Sequence, residues 1–243
     1  MKINEPEDLA DSDWAITFPL KFAGAEVENA YRERFISATI GLVRTAIVLV
    51  IALFICFFLV DLWVLPDHLE NALLVRAATV AFASAIVGIS FTPLFRPYWE
   101  WWMGSVPVVG SGFIALFCLV TSDLALTLYP QAVTFAMLWI FLIARVRFMI
   151  AMATSLLSIA VFNAGISIDP RFTAELYVNH SFFFLSAVFM GAISCFMLEL
   201  YTRRSFRTRR QVELQNKQLV EEIAEREKAE RAQAKARMEL EHI

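Results

Sequence analysis

The chain contains few residues that carry chemistry or break helices. Its 243 residues include three cysteines, three histidines, eight glycines and eight prolines. The sequence has no glycine-rich phosphate loop, nucleophile elbow or HExxH motif. Its first 30 residues are acidic and contain no apolar run, so we expect no cleavable signal peptide. These features argue against a catalytic centre within this stretch.

Charged residues are also scarce in the middle of the chain. The formal net charge is only −3, and the charged residues crowd the two ends of the sequence. Hydrophobic residues make up 58% of the composition, which exceeds the share typical of a soluble domain. The composition therefore indicates a membrane protein.

Six apolar runs are long enough to cross a bilayer, since a helix of about 20 residues spans a hydrocarbon core of ~30 Å. They cover residues 36–60, 72–92, 101–121, 128–144, 148–167 and 181–198. The connections are too short for a folded extracytoplasmic domain. We predict an all-α membrane protein in which a six-helix bundle continues through its last helix into a cytoplasmic parallel coiled coil. The predicted domains are 1–34, 35–200 and 201–243.

The basic residues predict the orientation of the bundle. One set of helix ends carries Lys21, Arg32, Arg34, Arg96, Arg145, Arg147 and five arginines between 203 and 210. The opposite set has only Arg171, with Arg76 within reach. Because positive loops stay in the cytoplasm, we expect a multi-pass membrane protein with both termini in the cytoplasm.

The N-terminal segment predicts a short helix ahead of the first span. Phe22, Val27 and Tyr31 are spaced to form an apolar stripe, and a helix from Ala25 would lie at the membrane surface. A solvated leader that runs into the first span fits the same pattern.

The C-terminal segment predicts a coiled coil. No glycine or proline follows Gly191, so nothing interrupts a helix from the sixth span to the last residue. Val212, Asn216, Leu219 and Ile223 have heptad spacing, and a buried asparagine in an apolar seam favours a parallel homodimer. Beyond Ile223 the apolar stripe shifts. This stutter predicts either a switch sensitive to twist or a coiled coil that frays.

Polar and helix-breaking residues within the spans predict two further features. Arg44 and Glu199 are expected either to pair across the first and sixth helices or to reach the lipid headgroups. In the third span, Pro107 is followed by Gly110 and Gly112. This pattern predicts either local unwinding that opens a ligand cavity or close helix packing through small residues.

Two histidines are weak candidates for a metal or proton-sensing site. His68 and His180 both fall near the outer ends of helices, where they either bind an ion together or simply face water. His242 is expected at the surface of the coiled coil. A haem is not expected, because paired histidines at membrane depth are missing, and we predict no cofactor. The cysteines at positions 56, 118 and 195 are expected to be small buried side chains.

Two short motifs carry a resemblance to a known group of proteins. Leu20, Phe22, Glu28, Tyr31 and Arg32 match the pattern (L/R)xFxxxxxExxYR ahead of the first span. An ExxxRxxF pattern follows the sixth span, at Glu199, Arg203 and Phe206. The chain thereby resembles the six-helix membrane anchors of bacterial signalling enzymes.

That resemblance implies a dimeric sensor that passes a signal to a downstream cytoplasmic catalytic domain. The expected enzyme is a nucleotide cyclase, either adenylyl/guanylyl or diguanylate. The alternatives are a histidine kinase and a small transporter or channel. Expected partners are membrane lipids, a second copy of the chain and an unknown ligand, but not nucleic acid. The residues expected to take part in transduction are Arg44, Glu199, Arg203, Phe206, Asn216, Leu219 and Ile223.

Overall fold

The computed structural model describes the backbone of residues 11–18 and 20–241, and the side chains of residues 12–18 and 20–231. Two compact units are present, Met1–Glu199 and Leu200–Ile243. The predictions for His242 and for the part of the displaced apolar stripe beyond Arg231 fall outside the side chains described.

Helices account for most of the described chain. They are α1 (Ala25–Val64), α2 (Leu69–Ile89), α3 (Phe95–Val120), α4 (Asp123–Leu128), α5 (Gln131–Leu142), α6 (Phe148–Ile166) and α7 (Ala174–Glu241). Six helical segments of the described residues are long and apolar enough to cross a membrane, and α4 and α5 together form one of them. The six predicted spans are therefore confirmed at this level.

The first helix is longer than predicted. α1 is continuous over 40 residues from Ala25, so the expected surface helix is the N-terminal part of the first span. The reason is local, because no proline occurs between Pro19 and Pro66 to separate the two parts. At ~1.5 Å per residue α1 is about 60 Å long, roughly twice the hydrocarbon thickness.

A small hairpin precedes α1 and was not predicted. Strands β1 (Ile16–Thr17) and β2 (Lys21–Phe22) pair antiparallel, with Ile16 opposite Phe22. Leu20 has a φ of 72°, a left-handed conformation that leucine rarely adopts. Its side chain is nevertheless buried, as is that of Phe22. Burial of the two side chains holds a turn that lacks the glycine expected at such a position.

The fourth span consists of two helices. α4 ends at Leu128 and α5 begins at Gln131, with Tyr129 and Pro130 between them. Pro130 has no N–H to continue the hydrogen-bond ladder of α4. The span therefore begins earlier than the predicted residue 128 and is broken near that position.

The third span is the most buried of the six. In the most apolar window of α3, 56% of the residues are buried, against 11% in α1. A Cβ added at Gly104 would lie 2.5 Å from Thr154 Cγ2, so α3 and α6 approach closely there. Pro107 does not unwind α3, since the non-helical backbone within it lies at Tyr98. The predicted unwinding at Pro107 is therefore not observed, and the close approach of α3 to α6 lies at Gly104 rather than at Gly110.

Candidate functional site

A cavity of about 210 Å³ lies within the bundle, between α1, α2, α3 and α5. Its walls are almost entirely apolar and include Val50, Phe54, Val106, Pro107 and Gly110. The space at α3 follows from the sequence, because a Cβ added at Gly110 would meet no atom within 4 Å. Small residues thus open this cavity without any unwinding of the helix.

A buried ion pair borders the cavity. Arg76 of α2 binds both carboxylate oxygens of Asp61 of α1, and its Nη2 lies 2.8 Å from Asp61 Oδ1. The hydroxyl of Tyr129, at the break between α4 and α5, donates a hydrogen bond to the same carboxylate. Asp61 is fully buried and Arg76 nearly so. The three side chains therefore join the first, second and fourth spans.

The surroundings of Arg76 compensate for the burial of its charge. Its Nη1 donates to the carbonyl of Phe54 at 3.3 Å. Four aromatic rings lie about 6 Å from the guanidinium, which is within the range of cation–π attraction. A bidentate arginine–carboxylate pair of this kind is a strong interaction once both partners are desolvated. The pair is therefore neutral as a unit, and each of the three guanidinium nitrogens donates to an acceptor.

This pair was missed by the sequence analysis, although a signal was present. Asp61 lies three residues before the end of α1, and Arg76 lies seven residues after the start of α2. Because α1 and α2 are joined by a short turn, the two residues differ in depth by only about 6 Å, or one helical turn. A long arginine side chain can reach across that offset, so two opposite charges on either side of a tight connection indicate a pair.

The cavity is open on one side. Leu53 and Val60 of α1, and Leu128 and Phe135 of the fourth span, line it while remaining 45% to 57% exposed. At the other end Trp139 Nε1 donates to the carbonyl of Ala46 at 3.2 Å, which ties α5 to α1. The opening therefore faces the surface between α1 and the fourth span, where the exposed residues are apolar.

A second polar cluster lies on the face of the bundle where α1 begins, called the N-terminal face below. Arg147, just before α6, binds Glu100 of α3 through Nε at 2.6 Å and Nη2 at 2.5 Å. Its Nη1 lies 3.8 Å from Glu28 of α1. Burial lowers the pKa of Arg147, but the hydrogen bonds and charge of Glu100 outweigh that effect and raise it. Arg147 is therefore a fixed cation joining three helices.

The N-terminal sequence motif has a structural explanation. Glu28 Oε2 accepts a hydrogen bond from the Phe22 N–H at 3.0 Å. The rings of Phe22, Tyr31, Phe35 and Trp99 follow one another with centroids 5.6 to 6.0 Å apart. This series attaches the hairpin to α1 and α3. Arg32, the last residue of the motif, is exposed.

The predicted pairing of Arg44 with Glu199 is not formed. Arg44 donates from Nε to Ser90 Oγ at 3.1 Å and from Nη2 to the Ser90 carbonyl at 2.7 Å, and it lies over the ring of Phe91. It thus binds the C-terminal end of α2, where carbonyl groups are free to accept. Glu199 instead accepts a hydrogen bond from the Phe148 N–H at 2.7 Å, at the N-terminus of α6.

The other predicted transduction residues lie along α7. Arg203 is fully buried and Phe206 is partly buried. Asn216, Leu219 and Ile223 are exposed, and Leu219 and Ile223 are 53% and 56% accessible. These apolar side chains are uncovered in the single chain.

The two histidines that were weak candidates for an ion or proton-sensing site lie in different surroundings. His180 is buried, with Nε2 3.1 Å from the Leu126 carbonyl and its ring stacked on Phe172. His68 lies at the start of α2 and is partly exposed. Among the residues that the structure describes, no three His, Cys, Asp or Glu side chains come together as a metal site. The contact with Leu126 holds the His180 ring inside the bundle, whereas His68 is partly exposed.

Comparison with known families adds a decisive observation, because the family model MASE8 matches residues 59–213. The chain belongs to the MASE8 family. MASE8 is a family of membrane-associated sensory domains, in agreement with the six spans of the chain. Comparisons with curated proteins and with solved structures find no significant match. The MASE8 match includes the cavity pair Asp61 and Arg76 as well as Glu199, while the motif at 20–32 lies outside it.

Proposed function

We propose that this MASE8 region senses a signal in the membrane and passes it through α7 to a cytoplasmic nucleotide cyclase in the same protein. The observation that supports this most strongly is α7 itself, which is one helix from the apolar Ala174 end to Glu241. A continuous helix transmits rotation or displacement along its length, whereas a break would absorb it. The resemblance of the two motifs to the anchors of bacterial cyclases supports the choice of enzyme.

The proposed active form is a parallel homodimer. Val212, Leu219 and Ile223 expose 48% to 56% of their surfaces on a helix that is otherwise strongly charged. Pairing of two such helices would bury these side chains, and Asn216 would set the register. The dimer brings two cyclase domains together, so a change in the helix pair changes the way the domains meet.

The proposed orientation places the N-terminal face in the cytoplasm of a bacterial inner-membrane protein. The basic residues support this, because Arg32, Arg34, Arg96 and Arg145 all belong to that face. In this orientation the cavity pair Asp61–Arg76 lies in the outer half of the membrane, and the residues after Glu199 lie in the cytoplasm.

Residue insertion in the full protein tests signalling through the helix. One residue added after Arg210 rotates everything downstream by ~100°, whereas seven residues restore the heptad phase. We expect the single insertion to change cyclase activity at least several-fold and the seven-residue insertion to leave activity near that of the parent. Equal activities in all three proteins would contradict transmission through α7.

The same preparation tests the type of enzyme. Incubation with ATP and with GTP should give a cyclic mononucleotide or cyclic di-GMP, measured by mass spectrometry. Transfer of the γ-phosphate of ATP to the protein, without a cyclic product, would identify the histidine-kinase alternative. Ion or solute flux in liposomes, without either reaction, would identify the transporter alternative.

A further inference from the structure

We propose that the cavity between α1, α2, α3 and α5 binds a small uncharged ligand that has an apolar body and one hydrogen-bonding oxygen. The ligand would enter from the membrane and place its oxygen near Tyr129 and Gln131, which both line the cavity. This inference rests on the proposed sensory function for its purpose, but the binding can be measured without any enzyme.

The cavity is large enough to hold a small ligand, and larger than a gap left by imperfect packing. Its volume is about 210 Å³. An engineered apolar cavity of about 150 Å³ binds benzene, and a void of that size costs stability when it is empty. A ring or a short alkyl chain therefore fits here, and its burial would contribute to binding through apolar contact.

The charge of the site excludes an anionic ligand. Arg76 is the cation bordering the cavity, and its charge is already matched by the bidentate contact with Asp61. An incoming carboxylate would have to displace Asp61, leaving a buried negative charge without a partner. A cationic ligand would compete with Arg76 for the same carboxylate. An uncharged ligand carries neither cost.

Two side chains provide hydrogen bonding for an uncharged oxygen. The Tyr129 hydroxyl donates its proton to Asp61, so its oxygen still accepts a bond from a ligand hydroxyl. The side-chain oxygen of Gln131 accepts from Thr134 Oγ1 at 3.5 Å, which leaves the amide N–H₂ group to donate. A ligand hydroxyl or carbonyl can therefore bind where α4 and α5 meet.

The route into the cavity is the opening between α1 and the fourth span. The residues at that opening, Leu53, Val60, Leu128 and Phe135, are apolar and exposed. A lipophilic molecule concentrates in the bilayer and reaches such an opening directly. A strongly hydrated solute would have to lose its water first. The apolar opening and the apolar lining therefore both favour an uncharged, lipophilic ligand.

Photolabelling of the 243-residue chain in lipid nanodiscs tests the proposal. The probe is decan-1-ol carrying a diazirine on its alkyl chain, and labelled peptides are located by mass spectrometry. We expect labelling within residues 50–64 and 128–139 that excess decan-1-ol removes. At pH 8 and equal concentration in the membrane, decanoate should compete at least tenfold less well. Equal competition by decanoate would overturn the assignment to uncharged ligands.

A cavity-filling substitution supplies the variant and its control. Gly110→Leu places a side chain in the cavity, and competable labelling should fall at least tenfold. Gly41→Leu is the matched control, because a Cβ at this exposed position of α1 also meets no atom within 4 Å. If Gly110→Leu does not fold, the smaller Gly110→Val should show a partial loss.

Unchanged labelling in the folded Gly110 variants would overturn the proposal. Labelling spread evenly over the lipid-facing surfaces of α6 and α7 would do the same. Neither result would affect the cyclase proposal, which is tested by insertions after Arg210.

Discussion

The carboxylate of Glu199 accepts a hydrogen bond from the backbone N–H of Phe148, 51 residues earlier in the chain, at 2.7 Å. Two neighbouring contacts reinforce this connection between α7 and the start of α6. The rings of Phe148 and Phe196 meet edge to face at 5.5 Å, and Cys195 Sγ lies 3.6 Å from the Val146 carbonyl. Any movement of this end of α7 must therefore displace α6 or break these contacts.

Substitution of Glu199 tests the strength of this connection. Glu199→Ala removes a carboxylate from the positive end of α6 and should lower the free energy of unfolding by about 1 kcal/mol. Glu199→Gln retains an acceptor oxygen and should lose less. Thermal unfolding in detergent measures both variants, with Glu175→Ala, at an exposed position of the same helix, as the control. If Glu175→Ala lowers the free energy of unfolding as much as Glu199→Ala does, the proposed stabilisation of the α6 N-terminus by Glu199 is contradicted.

The pair formed by Asp61 and Arg76 gives a prediction about non-additivity. Asp61→Leu or Arg76→Met alone leaves one buried charge unpaired and should cost about 3–5 kcal/mol. The double substitution removes both charges and should recover most of that loss. Denaturant unfolding of the four proteins measures the coupling, and Asp67→Leu, at an exposed position, is the control. Additive losses in the double variant would show that the ion pair is not the cause.

Just after the C-terminal end of α6, Arg171 Nη2 lies 2.7 Å from Asp169 Oδ2, and this ion pair predicts a dependence of stability on pH. The hydrogen bonds from Arg171 lower the pKa of Asp169 below its ordinary value of 3.8. Because the folded pKa is lowered, the carboxylate stabilises the fold at pH values above 3.8 and loses this effect as the pH falls through the folded value.

Asp169→Asn should therefore be less stable than the parent at neutral pH, and the difference should shrink below about pH 4. Asp123→Asn is the control, since Asp123 also contacts Arg171 but is 85% exposed. The measurement is the thermal unfolding temperature between pH 3 and pH 7. If the difference in unfolding temperature between Asp169→Asn and the parent stays constant over this range, the ionised Asp169 carboxylate is not its cause.

Disulfide cross-linking tests the proposed dimer. In a background with Cys56→Ala, which removes the exposed cysteine, Leu219→Cys should cross-link two chains through the seam. Glu221→Cys lies two residues further along the helix, on the outer face of the predicted dimer, and should not. Non-reducing electrophoresis of membranes separates the two results. Equal cross-linking at both positions would indicate random collision.

The spans were predictable because apolar length is a strong signal. The details within the spans were not predictable from this signal. The break at Tyr129 and Pro130 interrupts an apolar run whose average composition still predicts a single helix. The left-handed Leu20 lacks the glycine that normally marks such a turn. Pro130 sets the position of the break locally, because it has no N–H to continue the hydrogen-bond ladder of α4. At Leu20, burial of the side chain decides a backbone conformation that the residue itself does not favour.

The polar contacts were harder to predict than the helices. Arg44 and Glu199 were both predicted on the cytoplasmic half of the bundle, but two charges in one half do not determine a pair. Each binds a free backbone group at a helix end instead, Ser90 in one case and Phe148 in the other. Sequence spacing shows where side chains lie along the membrane normal, but not which helices are neighbours. A cavity at Pro107 and Gly110 was one of two expectations, but the unwinding expected to open it does not occur, and its other walls come from helices whose neighbours the sequence does not specify.

The bond between Asp61 and Arg76 also bears on how the chain enters the membrane during synthesis. Each charge alone carries an insertion cost of roughly 2.5–3.5 kcal/mol at the centre of a helix. Joined by a turn of a few residues, the two helices can leave the translocon as a single neutral hairpin. We therefore expect α1 and α2 to enter the membrane more readily as a pair than either helix does with its charge unmatched.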